Sequence, residues 1–307
     1  MGRCTYCPHT TRADVWKSRH MAPETFAALW PALCRATRVH LQGWGEPFLN
    51  PYFMDFVSLA RRAGCAVSTT TCGLRMDETL AERIVESGMD IVAFSLTGTD
   101  EKSNAARAGV PFSRVEEAVR MLQKVRQAKQ AVHLEVHLAY LMLASNVDAV
   151  RELPRLMDEW GVHAVVISTM DYIPSPEMAA EAFAPHERET LEAARAVLEE
   201  NEEHVRAAGH DFYASLPAAE PAPCCRERAH RTMYIDADGQ ISPCVYLNVP
   251  IREEVSGRTV FGSVAGEDPM AVWEGKAYVG FRAAVQTADP PDACRCCAKR
   301  FEAPCAG

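Results

Sequence analysis

The stretch Val39-His40-Leu41-Gln42-Gly43-Trp44-Gly45-Glu46-Pro47 sets a short strand pattern, Val39–Gln42, directly against a loop that opens on glycine. Upstream, Ala22–Ala36 reads as a helix. Downstream, Tyr52–Ala63 reads as a helix closed by Gly64, and Cys65–Thr71 is a run rich in β-branched residues. Helix Asp77–Ser87 stops at Gly88, and Asp90–Leu96 is an apolar run too continuous for a half-exposed edge strand. An amphipathic helix, Ser113–Lys129, follows, then strand Val132–Leu143, helix Val147–Trp160, strand His163–Thr169 and a long charged helix, Pro185–Ala208. Five strands alternating with helices predict a parallel α/β sheet with right-handed crossovers. In such a sheet the loops after the strands carry the chemistry.

From about residue 211 the character changes. Pro217, Pro221 and Pro223 with Ala218, Ala219 and Ala222 make a linker-like stretch. Arg231–Asp236 and Gln240–Tyr246 then flank Asp238-Gly239, a hairpin signal, and Pro269–Ala284 reads as a helix. The expected division is therefore 1–210 for the α/β unit and 211–307 for a small cysteine-rich α+β extension.

The 307 residues carry a net charge of −9, with 48% hydrophobic and 24% charged residues. An acidic chain is a poor partner for nucleic acid or an anionic membrane. No apolar run reaches the roughly 18 residues of a membrane span, and no signal peptide pattern opens the sequence. The expected location is the cytoplasm, with no nucleic-acid and no membrane partner. There the twelve cysteines point to metal rather than to disulfides. Cys4 and Cys7 stand at the start; Cys224, Cys225, Cys244, Cys294, Cys296, Cys297 and Cys305 stand in the last third; Cys34, Cys65 and Cys72 lie between. For Cys34 and Cys65, on a helix and a strand, burial as small apolar residues is the default. Cys72 reads as a core or loop thiol. Taken alone, Cys4-x-x-Cys7 suits zinc, a redox dithiol or part of a cluster site.

The strand-end loops, taken in order, read Gly43-Trp44-Gly45-Glu46-Pro47, Thr70-Thr71-Cys72-Gly73 and Ser95-Leu96-Thr97-Gly98, the last followed by Asn104 and Arg107-Ala108-Gly109. With Cys4-Thr5-Tyr6-Cys7 ahead of them, this order resembles the radical S-adenosylmethionine (SAM) superfamily. That family has a Cys-x3-Cys-x2-Cys loop with an aromatic residue before its last cysteine, a Gly-Gly-Glu-type loop and a Thr-Asn-Gly-type turn. The resemblance implies a partial (β/α)6 barrel. Cys4 and Cys7 would be two of three thiolates holding a [4Fe–4S] cluster, and Gly43, Gly45, Glu46, Pro47, Thr71, Ser95 and Arg107 would serve SAM. The triad's first cysteine would stand four residues before Cys4, ahead of Met1, and the family's first strand is missing as well. A chain that begins late explains both, so the five strands are expected to be the family's second to sixth. Cys72 stands where the family often has Asn, and Thr97 where it often has Asp.

The C-terminal cysteines resemble the SPASM/twitch extension of the same superfamily. The resemblance implies a second, auxiliary [4Fe–4S] cluster on Cys225 (or Cys224), Cys244, Cys294 and Cys297, with Cys296 and Cys305 as spare ligands. A zinc ribbon is the competing reading of the same four positions. The implied activity is reductive cleavage of SAM to a 5′-deoxyadenosyl radical. Hydrogen abstraction from a peptide, protein or small-molecule substrate would follow, in an oxidative modification or maturation. The implied electron donor is of the flavodoxin or ferredoxin type. Two other classes stay open on the residues alone. One is a zinc-binding (β/α) scaffold or a degenerate relative with a binding role. The other is a hydrolase or lyase using groups such as His137 and Asp171.

Overall fold

The structure is a computed structural model that describes residues 2–218, 220, 225–252 and 258–304. After the first cysteine loop come three short helices, α1 (Pro8–Thr11), α2 (Pro23–Ala27) and α3 (Trp30–Leu33). Strands and helices then alternate: β1 (Arg38–His40), α4 (Phe53–Arg62), β2 (Ala66–Thr71), α5 (Glu78–Glu86), β3 (Ile91–Leu96), α6 (Phe112–Ala128), β4 (Glu135–Leu141), α7 (Leu153–Trp160), β5 (Ala164–Ser168), α8 (Arg188–Ala207) and β6 (Asp211–Pro217). The helix expected over Ala22–Ala36 is two pieces because Pro31 has no N–H to donate to the carbonyl of Ala27. The stretch before α7 is 3-10 helix, and α7 opens with Pro154 near its start and ends on left-handed Gly161 (φ +62°).

Strands β1 to β6 are parallel and adjacent in chain order, a curled half-barrel. The two faces of the sheet are unlike. Val67, Val92, Phe94, Val136, Leu138, Val165 and Phe212 are buried on the helix-covered side. Facing the other way are Ser68, Thr70, Ala93, Ser95, His137 and Ala139, with Val166 and Tyr213 still 44% and 54% exposed. The inner side is thus small and polar and leaves room for a ligand.

Six parallel strands stand where the sequence showed five. The one missed is β6, inside the stretch taken as linker-like. Its alternation is only partial, with Phe212 and Leu216 buried and Asp211 and Tyr213 exposed, and the Pro/Ala-rich residues after it masked the pattern.

Beyond β6, strands β7 (Tyr234–Ile235) and β8 (Gln240–Ser242) form the expected hairpin, turned at Gly239 (φ +79°), and β9 (Gly262–Ser263) adds a third strand. The Asp236 carboxylate accepts from Asp238 N and Gln240 N at 2.9 Å each and fixes that turn. The helix expected over Pro269–Ala284 breaks at extended Gly275 into α9 (Pro269–Glu274) and α10 (Lys276–Ala284). Tyr278 locks α10 to the hairpin: its ring stacks on Phe261 at 4.3 Å, and its hydroxyl donates to the Ser242 carbonyl at 3.1 Å. Strand β10 (Glu302–Pro304) then returns to the barrel and pairs antiparallel with β6. On the other side, Lys17 N donates to Pro250 O and Arg252 N to Val15 O, both 2.8 Å. Backbone hydrogen bonds therefore tie the extension to the barrel on both sides.

Candidate functional site

The first cysteine loop is laid across the loop that follows β3. Arg3 N donates to Ala108 O (2.6 Å) and Thr5 N to Ala106 O (2.9 Å). Gly2 permits this approach, since a Cβ there would come within 2.6 Å of Val110. The contact brings Cys4, Tyr6 and Arg107 together. Burial raises the Tyr6 hydroxyl pKa, partly offset by the Arg107 charge beside it. Arg107 is only 3% exposed, and neither its Nε nor its Nη1 has a hydrogen-bond partner. An unpaired buried guanidinium is costly and calls for an anion.

The glycine loop completes the other wall. Glu46 accepts from Thr71 Oγ1 (2.7 Å) and Cys72 N (2.8 Å), and also from Phe48 N (3.3 Å), tying the loop after β1 to the end of β2. Ser95 Oγ donates to Thr71 O at 3.0 Å, extending the link to β3. Glu46 and Arg107 both act electrostatically on Cys72, whose thiol is pushed up to about 12, first by burial and then by Glu46. A Cβ at Gly43 or Gly45 would meet no protein atom within 4 Å, and the buried Trp44 Nε1 has no partner. Protein packing does not demand glycine there, and the loop leaves space for a ligand to approach its backbone. With Arg107 opposite, the residues present fit SAM, whose carboxylate matches the guanidinium. Replacing Glu46 by alanine strands the Cys72 N–H and the Thr71 hydroxyl. The expected cost is about 2–4 kcal/mol in urea unfolding of the cofactor-free protein, together with weaker SAM binding.

Burial raises the Cys7 thiol, and the backbone N–H groups of His9 and Thr10 directed at its sulfur work against that rise. The same pairing of effects recurs in the C-terminal unit. Burial pushes Cys244 up to about 12 and Cys294 up to about 11, and raises Cys225 and Cys297. Backbone N–H groups counter it: those of Tyr246 and Leu247 at Cys244, of Glu227, Arg228 and Ala229 at Cys225, and of Lys299 at Cys297. Such sulfurs are thiols until metal cations take the protons, and their N–H donors then stabilise the thiolates.

These four cysteines line one cavity of about 580 Å³ together with Asp171, Glu227, Tyr246 and Lys299. Among the described residues, no three His, Cys, Asp or Glu side chains close to single-ion geometry. Zinc at about 2.3 Å from each sulfur would draw them to within about 4 Å of one another. Cys224 and Cys305 lie outside the described residues. Cys296 lines the cavity but is exposed.

Aromatic residues connect the two sites. Trp44 of the glycine loop meets Tyr172 and Tyr246 edge-on, each at 5.9 Å between centroids. The Tyr246 hydroxyl donates to Asp171 Oδ2 at 3.0 Å, and Lys299 Nζ lies 2.7 Å from the same oxygen. Asp171 follows β5, at the barrel's C-terminal mouth. The sequence offers Asp171 only as an acid/base group and does not mark Tyr246 or Lys299. Their signal was proximity in sequence: each stands two residues after a cavity cysteine.

Other expectations fare differently. Cys65 is fully buried, with its thiol 3.2 Å from the Leu33 carbonyl, but Cys34 is exposed, because α3 ends at it and turns it outward. His137 sits near the N-terminal end of β4 with Nε2 on Glu135 (2.8 Å), away from the barrel mouth, which leaves the hydrolase reading without its base. No helix among the described residues is long and apolar enough to cross a membrane.

A half-barrel with one cysteine pair laid on its β3 loop and four cysteines lining a cavity with Asp171 of its β5 loop has the donor set of an iron–sulfur protein. Residues 1–157 match the Radical SAM superfamily model, and residues 224–298 match the model of an iron–sulfur cluster-binding domain, SPASM. The chain belongs to the radical SAM superfamily. Its cofactors are a [4Fe–4S] cluster and SAM, with auxiliary iron–sulfur binding in the C-terminal domain. The zinc-scaffold reading is thereby set aside. Curated relatives include a tungsten-containing aldehyde ferredoxin oxidoreductase cofactor-modifying protein of Pyrococcus furiosus, 24% identical over 80% of this chain and 69% of that one. They also include a PqqA peptide cyclase of Gluconobacter oxydans, 24% identical over 78% of this chain and 66% of that one. The chain thus spans about two thirds of these relatives' length. Among solved structures, native anSMEcpe with bound AdoMet aligns with a TM-score of 0.67 at 14% identity over 93% of this chain and 80% of that one. Streptococcus suis SuiB bound to S-adenosylmethionine aligns with a TM-score of 0.67 at 15% identity, over 92% and 65%. These likenesses are of fold.

Proposed function

We propose that the chain is a radical SAM enzyme that oxidatively modifies a peptide, drawing electrons from a flavodoxin- or ferredoxin-type donor. The observation that carries this reading is the buried Arg107 guanidinium, its Nε and Nη1 without partners, close to Cys4 and, with Glu46 of the glycine loop, to Cys72. When bound, the cluster and SAM supply one-electron cleavage of the sulfonium to methionine and a 5′-deoxyadenosyl radical, which takes hydrogen from a substrate C–H bond. Cys4 and Cys7 hold iron. Arg107 receives the SAM carboxylate, and the backbone of Gly43–Pro47 lies along its methionine part. Glu46, Thr71 and Ser95 keep that loop on the strand ends. Cys225, Cys244, Cys294 and Cys297 would hold the auxiliary cluster, which would supply an electron acceptor in the cavity that Asp171 of the β5 loop also lines. A peptide is favoured because peptide cyclases are among the relatives and the inner face, otherwise of small and polar side chains, leaves Val166 and Tyr213 exposed. We place the boundary between the two units after Pro217, since β6 pairs with β5.

The test is anaerobic reconstitution of the chain extended so that a cysteine stands four residues before Cys4. With dithionite and SAM, 5′-deoxyadenosine should accumulate, and the same extension carrying serine should give none. Equal product from both, or none from either, would end the proposal.

A further inference from the structure

Lys299 is a buried cation that lines the auxiliary site. Its side chain is 10% exposed, its Nζ lies 2.7 Å from Asp171 Oδ2 and 3.8 Å from Glu227 Oε1, and its carbonyl accepts from Arg226 N at 3.0 Å. It therefore cannot swing out to water without abandoning two carboxylates. Asp171 is held as firmly: its side chain is also 10% exposed, Oδ2 is shared by Lys299 and the Tyr246 hydroxyl, and Oδ1 is buried without a partner. Both residues line the cavity of Cys225, Cys244, Cys294 and Cys297. Charges so buried are weakly screened, and their fields reach the cavity largely undiminished by salt.

Reduction of a [4Fe–4S] cluster adds one electron and no proton, so the site gains one negative charge. A fixed cation beside it favours that gain and a fixed anion opposes it. We propose that Lys299 and Asp171 set the reduction potential of the auxiliary cluster with opposite signs, Lys299 raising it and Asp171 lowering it. The inference rests on the reading of the four cysteines as cluster ligands. Lys299 and Asp171 are positioning residues in this role, since neither ligates iron. The arrangement also joins cluster and barrel, because Asp171 belongs to the loop after β5.

The experiment uses the full chain carrying Cys4→Ala and Cys7→Ala, so that only the auxiliary cluster loads, and follows its EPR signal in a dithionite titration. Lys299→Met should lower the potential and Asp171→Asn should raise it. Each change should be at least tenfold in the reduction equilibrium, about 59 mV for a one-electron couple, while Lys299→Arg keeps the parent value. A purely structural role would change melting temperature without opposite shifts in potential. Shifts of the same sign, or none, overturn the proposal. If Lys299→Met holds no iron, Asp171→Asn decides alone, and no upward shift there overturns it. If the parent chain itself loads no cluster, the cluster assignment fails instead.

Discussion

Replacing Arg107 by methionine should stabilise the cofactor-free protein and at the same time weaken SAM binding by about a hundredfold or more. The two effects have one cause. Without SAM, Arg107 is 3% exposed with Nε and Nη1 unpaired, so the fold carries a buried charge whose hydrogen bonds to water were given up for nothing. Methionine fills a comparable volume and removes that cost, a gain of about 1–3 kcal/mol in urea unfolding. With SAM, the same guanidinium meets a carboxylate in a site shielded from water, and a charge-assisted pair lost there costs about 2–5 kcal/mol. Binding is measured by calorimetry on the cluster-loaded, cysteine-extended chain. A variant less stable than the parent without ligand would mean that Arg107 is paired in solution; unchanged affinity for SAM would remove it from the site.

Iron content should divide the C-terminal cysteines into two groups. The reconstituted, cysteine-extended chain should hold about eight irons, two cubanes' worth. Cys244→Ala or Cys297→Ala should bring this to about four by emptying the auxiliary site, with loss of the corresponding absorption and EPR signal. Cys296→Ala should leave it unchanged. Cys244 and Cys297 have sulfurs that receive backbone N–H donors and face the shared cavity. Cys296 stands between two ligands in sequence but is exposed. Full iron in Cys244→Ala, or zinc in place of iron, would break the assignment of the cavity.

Most of the sheet was legible because its strands announce themselves by physics local to each segment. Asp90–Leu96 is apolar enough to be buried on one face and bounded by glycine on one side, and the structure has a strand over Ile91–Leu96. The failures came where the deciding interaction was remote. Strand β6 exists because β5 offers it an edge and β10 covers its other side, and neither is visible in Asp211–Pro217 itself. The site behaved likewise. Glycines and cysteines mark themselves by type and spacing, and Gly43, Gly45, Cys4 and Cys7 could be picked from the chain. Lys299 and Tyr246 are ordinary residues made special by Asp171, which stands 128 and 75 positions away. No periodicity reports such a pairing.

The return of β10 to the barrel has a consequence for synthesis. Residues 302–304 cap the open hydrogen-bonding edge of β6, yet they leave the ribosome some ninety positions after it. Until they emerge, the nascent sheet presents a bare edge of the kind that recruits strands from other chains. Any truncation that removes residues 302–304 would leave the same edge unsealed.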